Sequence, residues 1–169
     1  VSERRLRELP AAARERAVRV AATALSGGKY RSLDEPGLSR VAAQKAYAQA
    51  GLGPEAIDVA EVHDATAFCE LYQAEMLGFC EEGQGGAFVE SGATTLGGRL
   101  PINTSGGLVS KGHPVGATGL SMIAELTEQL RGEAGARQVP GAHTALAENG
   151  GGVVGFDEAA CSVVILQRG

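Results

Sequence analysis

The sequence has no tryptophan, and its few phenylalanines and tyrosines make up 4% of 169 residues. Tyr30, Tyr47 and Tyr72 are too scattered to mark an aromatic pocket, although Tyr30 follows a glycine pair in a predicted loop. Cysteine is equally sparse. Cys69, Cys80 and Cys161 are odd in number and widely spaced, which supplies neither a disulfide framework nor a zinc-ligand pattern. They are expected to be reduced, small and buried, and no metal is expected. No hydrophobic run approaches the roughly 18 residues of a membrane span, and the opening Ser2-Glu3-Arg4-Arg5 is unlike a signal peptide. Positive charge is in deficit. A net charge of -5 and a pI near 5.2 disfavour nucleic acid as a partner. The early arginines, Arg4 to Arg19, are interrupted by Glu3, Glu8 and Glu15 and read as a solvated face. These absences lead us to expect a soluble, cytoplasmic protein with no membrane or nucleic-acid partner.

Apolar residue content is ample. At 44% hydrophobic, residues 1–169 suffice for one domain with one sizeable core. Ser2 can cap a short helix to Leu9, which Pro10 discourages from continuing. A strand is predicted over Val18–Leu25 and a helix over Leu38–Ala50, with a further helical turn at Pro54. Ile57–Val62 reads as a strand ending at His63-Asp64. Ala67, Leu71, Ala74 and Leu77 form the inner stripe of the next helix. The Gly-, Thr- and Ser-rich stretch Gly83–Gly107 reads as an extended loop region leading into Lys111–Gly119. Leu120, Ile123, Ala124 and Leu130 predict an amphipathic helix ending near Gly132. Late strands are predicted at Thr144–Ala147 and Ser162–Gln167, with Gly150-Gly151-Gly152 and Asp157-Glu158 in their connection. This alternation implies a layered α/β domain.

The residues able to do chemistry gather around Gly112-His113-Pro114-Val115-Gly116-Ala117-Thr118-Gly119. Here a histidine precedes a predicted helix among glycines that admit a ligand close to the backbone. An imidazole titrates near neutrality, so it can take a proton from a thiol or hydrogen-bond a forming oxyanion. Alone, such a histidine is as readily structural. Together with Asn103-Thr104-Ser105-Gly106-Gly107, however, the run resembles the histidine loop of thiolases. His63-Asp64-Ala65-Thr66 is similar to the His-Asp form of the sterol-carrier and lipid-transfer branch of that family.

The resemblance implies a layered mixed sheet with helices on both faces, the C-terminal half of a thiolase-like fold. It covers only the second of two similar halves, and the missing N-terminal half would carry the cysteine that becomes acylated. His113 would activate that thiol, and His63 would help bind the thioester oxygen; the alternative for His63 is a hydrogen-bonded residue at a strand end. Asn103, Ser105, Gly106, Gly112 and Gly150 would contact substrate, although the glycines equally suit tight turns. The family's second cysteine is not visible. Glu148 of Glu148-Asn149-Gly150-Gly151-Gly152 stands in its loop, either as a replacement acid or base with a pKa raised by burial or as an ordinary carboxylate. His143 matches no family motif and reads as a surface or turn residue.

The implied activity is an acyl-CoA C-acyltransferase that makes or cleaves a carbon-carbon bond next to a thioester. Coenzyme A enters as substrate, with no separate cofactor, and a homo-oligomer is expected. A lipid-transfer-type retro-aldolase on a β-hydroxyacyl-CoA is the alternative within the family. A non-catalytic thiolase-fold subunit is the alternative outside catalysis.

Overall fold

The computed structural model describes residues 1–169. Helix α1 (Glu3–Arg7) starts where Ser2 Oγ accepts the Arg5 N–H. Pro10 ends it but also precedes a second short helix, α2 (Ala11–Glu15), absent from the sequence-based expectation. Proline blocks a helix it interrupts, whereas immediately before a helix its fixed φ costs nothing. Strand β1 (Val18–Gly27) and helix α3 (Leu38–Ala50) follow, the latter ending at left-handed Gly51. After a single turn at Pro54–Ala56 comes the short strand β2 (Val59–Glu61), then α4 (Ala67–Met76).

The stretch Gly83–Gly107, expected to be an extended loop, instead contains α5 (Gly85–Glu90) and leads into α6 (Gly107–Lys111). Helices of five or six residues are too short to show a periodic stripe. Helix α7 (Thr118–Arg131) stops at left-handed Gly132, near the predicted end. Strand β3 (Thr144–Gly151) runs beyond the expected Ala147, and β4 (Ala160–Arg168) closes the sheet. The glycines after Glu148 read as a turn, yet Glu148, Asn149, Gly150 and Gly151 pair with Val163, Ser162, Cys161 and Ala160. The ladder overrides their weak strand propensity. Glu148 therefore sits in a strand, not in the loop expected for it.

The sheet is mixed, in the order β1-β4-β3-β2. Strand β4 is antiparallel to both of its neighbours, β2 is parallel to β3, and a parallel bridge from Ala60 to Ile102 extends the β2 edge. Alternation along the central strands divides the core. Leu146, Cys161, Val163 and Ile165 face Leu38, Ala42, Ala43 and Ala46 of α3. Ala145, Ala147 and Leu166 face Met122, Leu126 and Leu130 of α7. Helices thus cover both faces, as expected, and each buried leucine contributes roughly 1.5–3 kcal/mol of transfer free energy. The layering leaves β2, α4 and the loop into α7 converging at one end of the sheet.

Candidate active site

Three consecutive residues leaving β2 are each fixed by a different part of the chain. The Val62 N–H donates to Asn103 Oδ1 at 2.8 Å, and the His63 N–H donates to Glu148 Oε2 at 3.0 Å. The buried Asp64 carboxylate accepts the Leu108 N–H at 2.7 Å and the Val109 N–H at 3.4 Å. Asp64 therefore serves the first turn of α6, satisfying donors that a helix start leaves open. Gly107 makes this possible: at φ +61 it occupies the left-handed region, and a Cβ there would collide with the Asp64 carboxylate.

Helix α6 lasts five residues, so the Asp64 clamp also fixes the loop that follows it. Gly112, at φ +90, turns the chain into His113. His113 Nδ1 lies 2.7 Å from Thr118 Oγ1 at the start of α7, and Thr118 also donates to Pro114 O at 3.3 Å. With that proton committed to the carbonyl, Thr118 oxygen accepts from Nδ1–H, an assignment that leaves Nε2 of exposed His113 as the basic nitrogen. The rings of His63 and His113 meet edge to face, with centroids 4.9 Å apart and planes at 78°. Burial, reinforced by His113, lowers the His63 pKa and favours its neutral form.

Glu148 lies beneath this pair. It is fully buried, accepts both the His63 N–H and the Cys161 S–H, and burial beside Glu158 pushes its pKa up to about 8. Its carboxyl meets the histidines only through the His63 backbone. Ser105 is turned inward, donating from Oγ to Glu61 at 2.5 Å and from N–H at 3.0 Å, with Lys111 Nζ 3.6 Å from the same carboxylate. Asn103 holds a left-handed φ of +54 while bonding Val62. Gly106, at φ +97, and Gly112 bracket α6. Gly150 lies on β3, where a side chain would strike Glu158.

Residues 36–168 match the model for the thiolase C-terminal domain-like family. This chain belongs to the thiolase family. Its thiolase-like domain is 56% identical over 134 residues to sterol carrier protein 2 of Rattus norvegicus, covering 74% of this chain and 24% of that protein. It is 43% identical over 143 residues to an acetyl-CoA acetyltransferase of Methanothermobacter thermautotrophicus, covering 82% and 37%. Among solved structures, the Ltp2-ChsH2(DUF35) aldolase superposes at TM-score 0.82 with 29% identity, covering 99% of this chain and 43% of that one. The thiolase-like domain thus spans about a quarter of the length of the sterol carrier relative. No helix in it is long and apolar enough to cross a membrane.

Sequence reasoning about the thiolase-like domain singled out His63, His113 and Glu148, and the fold brings the three together. It assigned no role to Thr118 or Glu158, and Asp64 entered only as part of a motif. A threonine five residues after a histidine carries no signal of its own, and the Glu158 carboxyl reaches Glu148 only across paired strands. A cleft of about 820 Å³ lined by Arg31, Tyr72, Phe156 and Glu158 was also unforeseen. Tyr30, the one tyrosine noted for a pocket, is instead 84% exposed. Cys161 is buried as expected, whereas Cys69 and Cys80 are only partly so. His143 lies exposed immediately before β3.

Proposed function

We propose that this domain is the C-terminal half of an enzyme that makes or cleaves a carbon-carbon bond next to a coenzyme A thioester. The observation that carries the reading is the contact between His63 and His113, residues from two loops joined through Asp64 and α6. With Nδ1 committed to Thr118, neutral His113 presents Nε2 as the general base. His113 takes the proton from the reacting thiol of a partner half. His63, kept neutral by burial, donates a hydrogen bond to the thioester oxygen as negative charge develops there. Val109, Val115 and Leu120 flank His113 with large exposed apolar surfaces, which a second half would cover. Coenzyme A enters as part of the substrate, and the assembled enzyme is a homo-oligomer.

The retro-aldol reading has its own support. Cys161 is the thiol that contacts Glu148, and burial with two neighbouring carboxyls drives its pKa far upward, so it cannot replace the family's second cysteine. In this reading His113 removes the β-hydroxyl proton. The Cα–Cβ bond then breaks to a carbonyl product and a thioester enolate, which is stabilised at His63 and reprotonated at carbon. The two readings separate when the complete enzyme is assayed for thiolysis of acetoacetyl-CoA and for cleavage of a β-hydroxyacyl-CoA. Turnover of either that vanishes in His113→Ala supports the common reading. Absence of both activities across acyl chain lengths would sink it and leave a non-catalytic subunit.

A further inference from the structure

Beneath His63, two carboxyl groups share a pocket of the fold without a cation. Ligand atoms of Glu148, Glu158 and Cys161 all lie within 4.8 Å of one another. The donors around them are neutral. Glu148 accepts from the His63 N–H and the Cys161 S–H. Glu158 accepts from Ser39 Oγ at 2.9 Å and Gln73 Nε2 at 3.0 Å. Arg31 stands nearby, but at 2.5 Å it is paired with Asp157, and that pair leaves no net charge to offset the cluster. Two adjacent carboxylates cannot both ionise in such surroundings, so one proton or one metal ion must be present.

A second observation favours the proton. Gln73 is 2% exposed, and its Oε1 has no hydrogen-bond partner although Nε2 of the same amide donates to Glu158. Nε2 faces Glu158 while Glu158 is ionised, and the amide can turn to present Oε1 when Glu158 carries the proton, so Gln73 fits both positions of a shared proton. Glu158 and Gln73 also line the 820 Å³ cleft, whereas Glu148 is sealed behind them. The order from solvent inward is therefore cleft, Glu158, Glu148 and the backbone of His63. Gly150 is required by this arrangement, because a side chain there would displace the Glu158 carboxyl.

We propose that Glu148 and Glu158 form a carboxyl pair that holds one proton and positions His63 through its backbone N–H, with Glu158 exchanging that proton at the cleft. The functional part of this assignment rests on the reading that His63 serves the thioester site. Glu148 carries the proton because it is wholly desolvated, and Glu158 is the ionised partner, so the pair bears one negative charge. The other groups facing the pair act consistently. Asp157 raises the Glu158 pKa and so opposes a second charge on the pair, and Tyr72 and Cys161 are neutral with their pKa values raised. Loss of the shared proton would leave two repelling carboxylates directly behind His63.

The test is a titration of the full chain by NMR, following glutamate side-chain carboxyl carbons and the His63 backbone amide. One carboxyl of the pair should titrate in or near the ordinary range and its partner well above it, with the His63 amide moving on the upper step. Glu158→Gln should bring that step to lower pH, and Glu148→Gln should abolish it. Two carboxyls titrating together in the ordinary range would overturn the proposal, as would a His63 amide indifferent to the upper step. Stoichiometric Zn²⁺ binding lost in Cys161→Ser would also overturn it, because a cation would then neutralise the pair. Should either variant fail to fold, the wild-type titration decides alone. In the complete enzyme, the same upper step should appear in the pH profile of kcat and disappear in Glu148→Gln. An enzyme inactive on every CoA thioester would remove the proposed function, while the titration would still decide the carboxyl pair.

Discussion

Thr118 and His113 show how little chemistry separates a loop histidine from an oriented one. The threonine hydroxyl is buried, commits its proton to a carbonyl and thereby selects which imidazole nitrogen faces outward. In the enzyme proposed above, His113→Ala should lower turnover by roughly 10²-fold or more, the usual scale for general acid-base catalysis. Because His113 is exposed, its melting temperature should hardly change. Thr118→Val keeps the shape and removes both hydroxyl hydrogen bonds; loss of the one that orients His113, about 1 kcal/mol, should lower kcat roughly fivefold. Comparing kcat with KM in the two variants distinguishes loss of the base from its misorientation; an unaltered kcat in Thr118→Val would discount the tautomer assignment.

At the level of elements, the site depends on the junction of the β2 exit with α6. Asp64 supplies a cap from far earlier in the sequence, since Leu108 and Val109 donate to it across 44 and 45 positions respectively. Asp64→Ala should cost about 1–3 kcal/mol in urea denaturation, the scale of leaving buried donors unsatisfied. Hydrogen exchange should then rise first in residues 107–111. Gly107→Ala should be at least as damaging, because the methyl group meets the carboxylate and the backbone is left-handed. In the cluster that packs α6 and α7 on the same face of the sheet, Leu126→Ala should cost about 2–5 kcal/mol by opening a cavity under α7.

For the whole molecule, the buried carboxyls set the pH dependence of stability. Glu148 has an ordinary pKa of 4.5, and burial followed by the nearby Glu158 raises it to about 8. The folded protein therefore retains a proton that the unfolded chain releases across that window. Its contribution to stability is complete below about pH 4.5 and is lost as pH rises toward 8. Thermal melts between those limits should show a downward slope that Glu148→Gln flattens; parallel slopes in both proteins would refute this assignment. The purified chain alone should show no thiolysis of acetoacetyl-CoA above buffer, since the thiol contacting Glu148 is buried and protonated.

What the sequence determined by itself is the set of long elements and the two histidines. Helices α3 and α7 are legible because their apolar residues repeat every third or fourth position and glycine closes each one. His63 and His113 are legible because short, Gly-bounded motifs surround them. Tertiary structure alone decided the rest. Helix α6 exists by virtue of a distant carboxylate, and the β3 extension by virtue of the β4 ladder. Thr118 acquires its role from a ring orientation, and Glu158 from the strand pairing that brings it behind Glu148. Local periodicity is written along the chain, but hydrogen-bond partners and shared protons depend on proximity in space, which only the packed sheet creates.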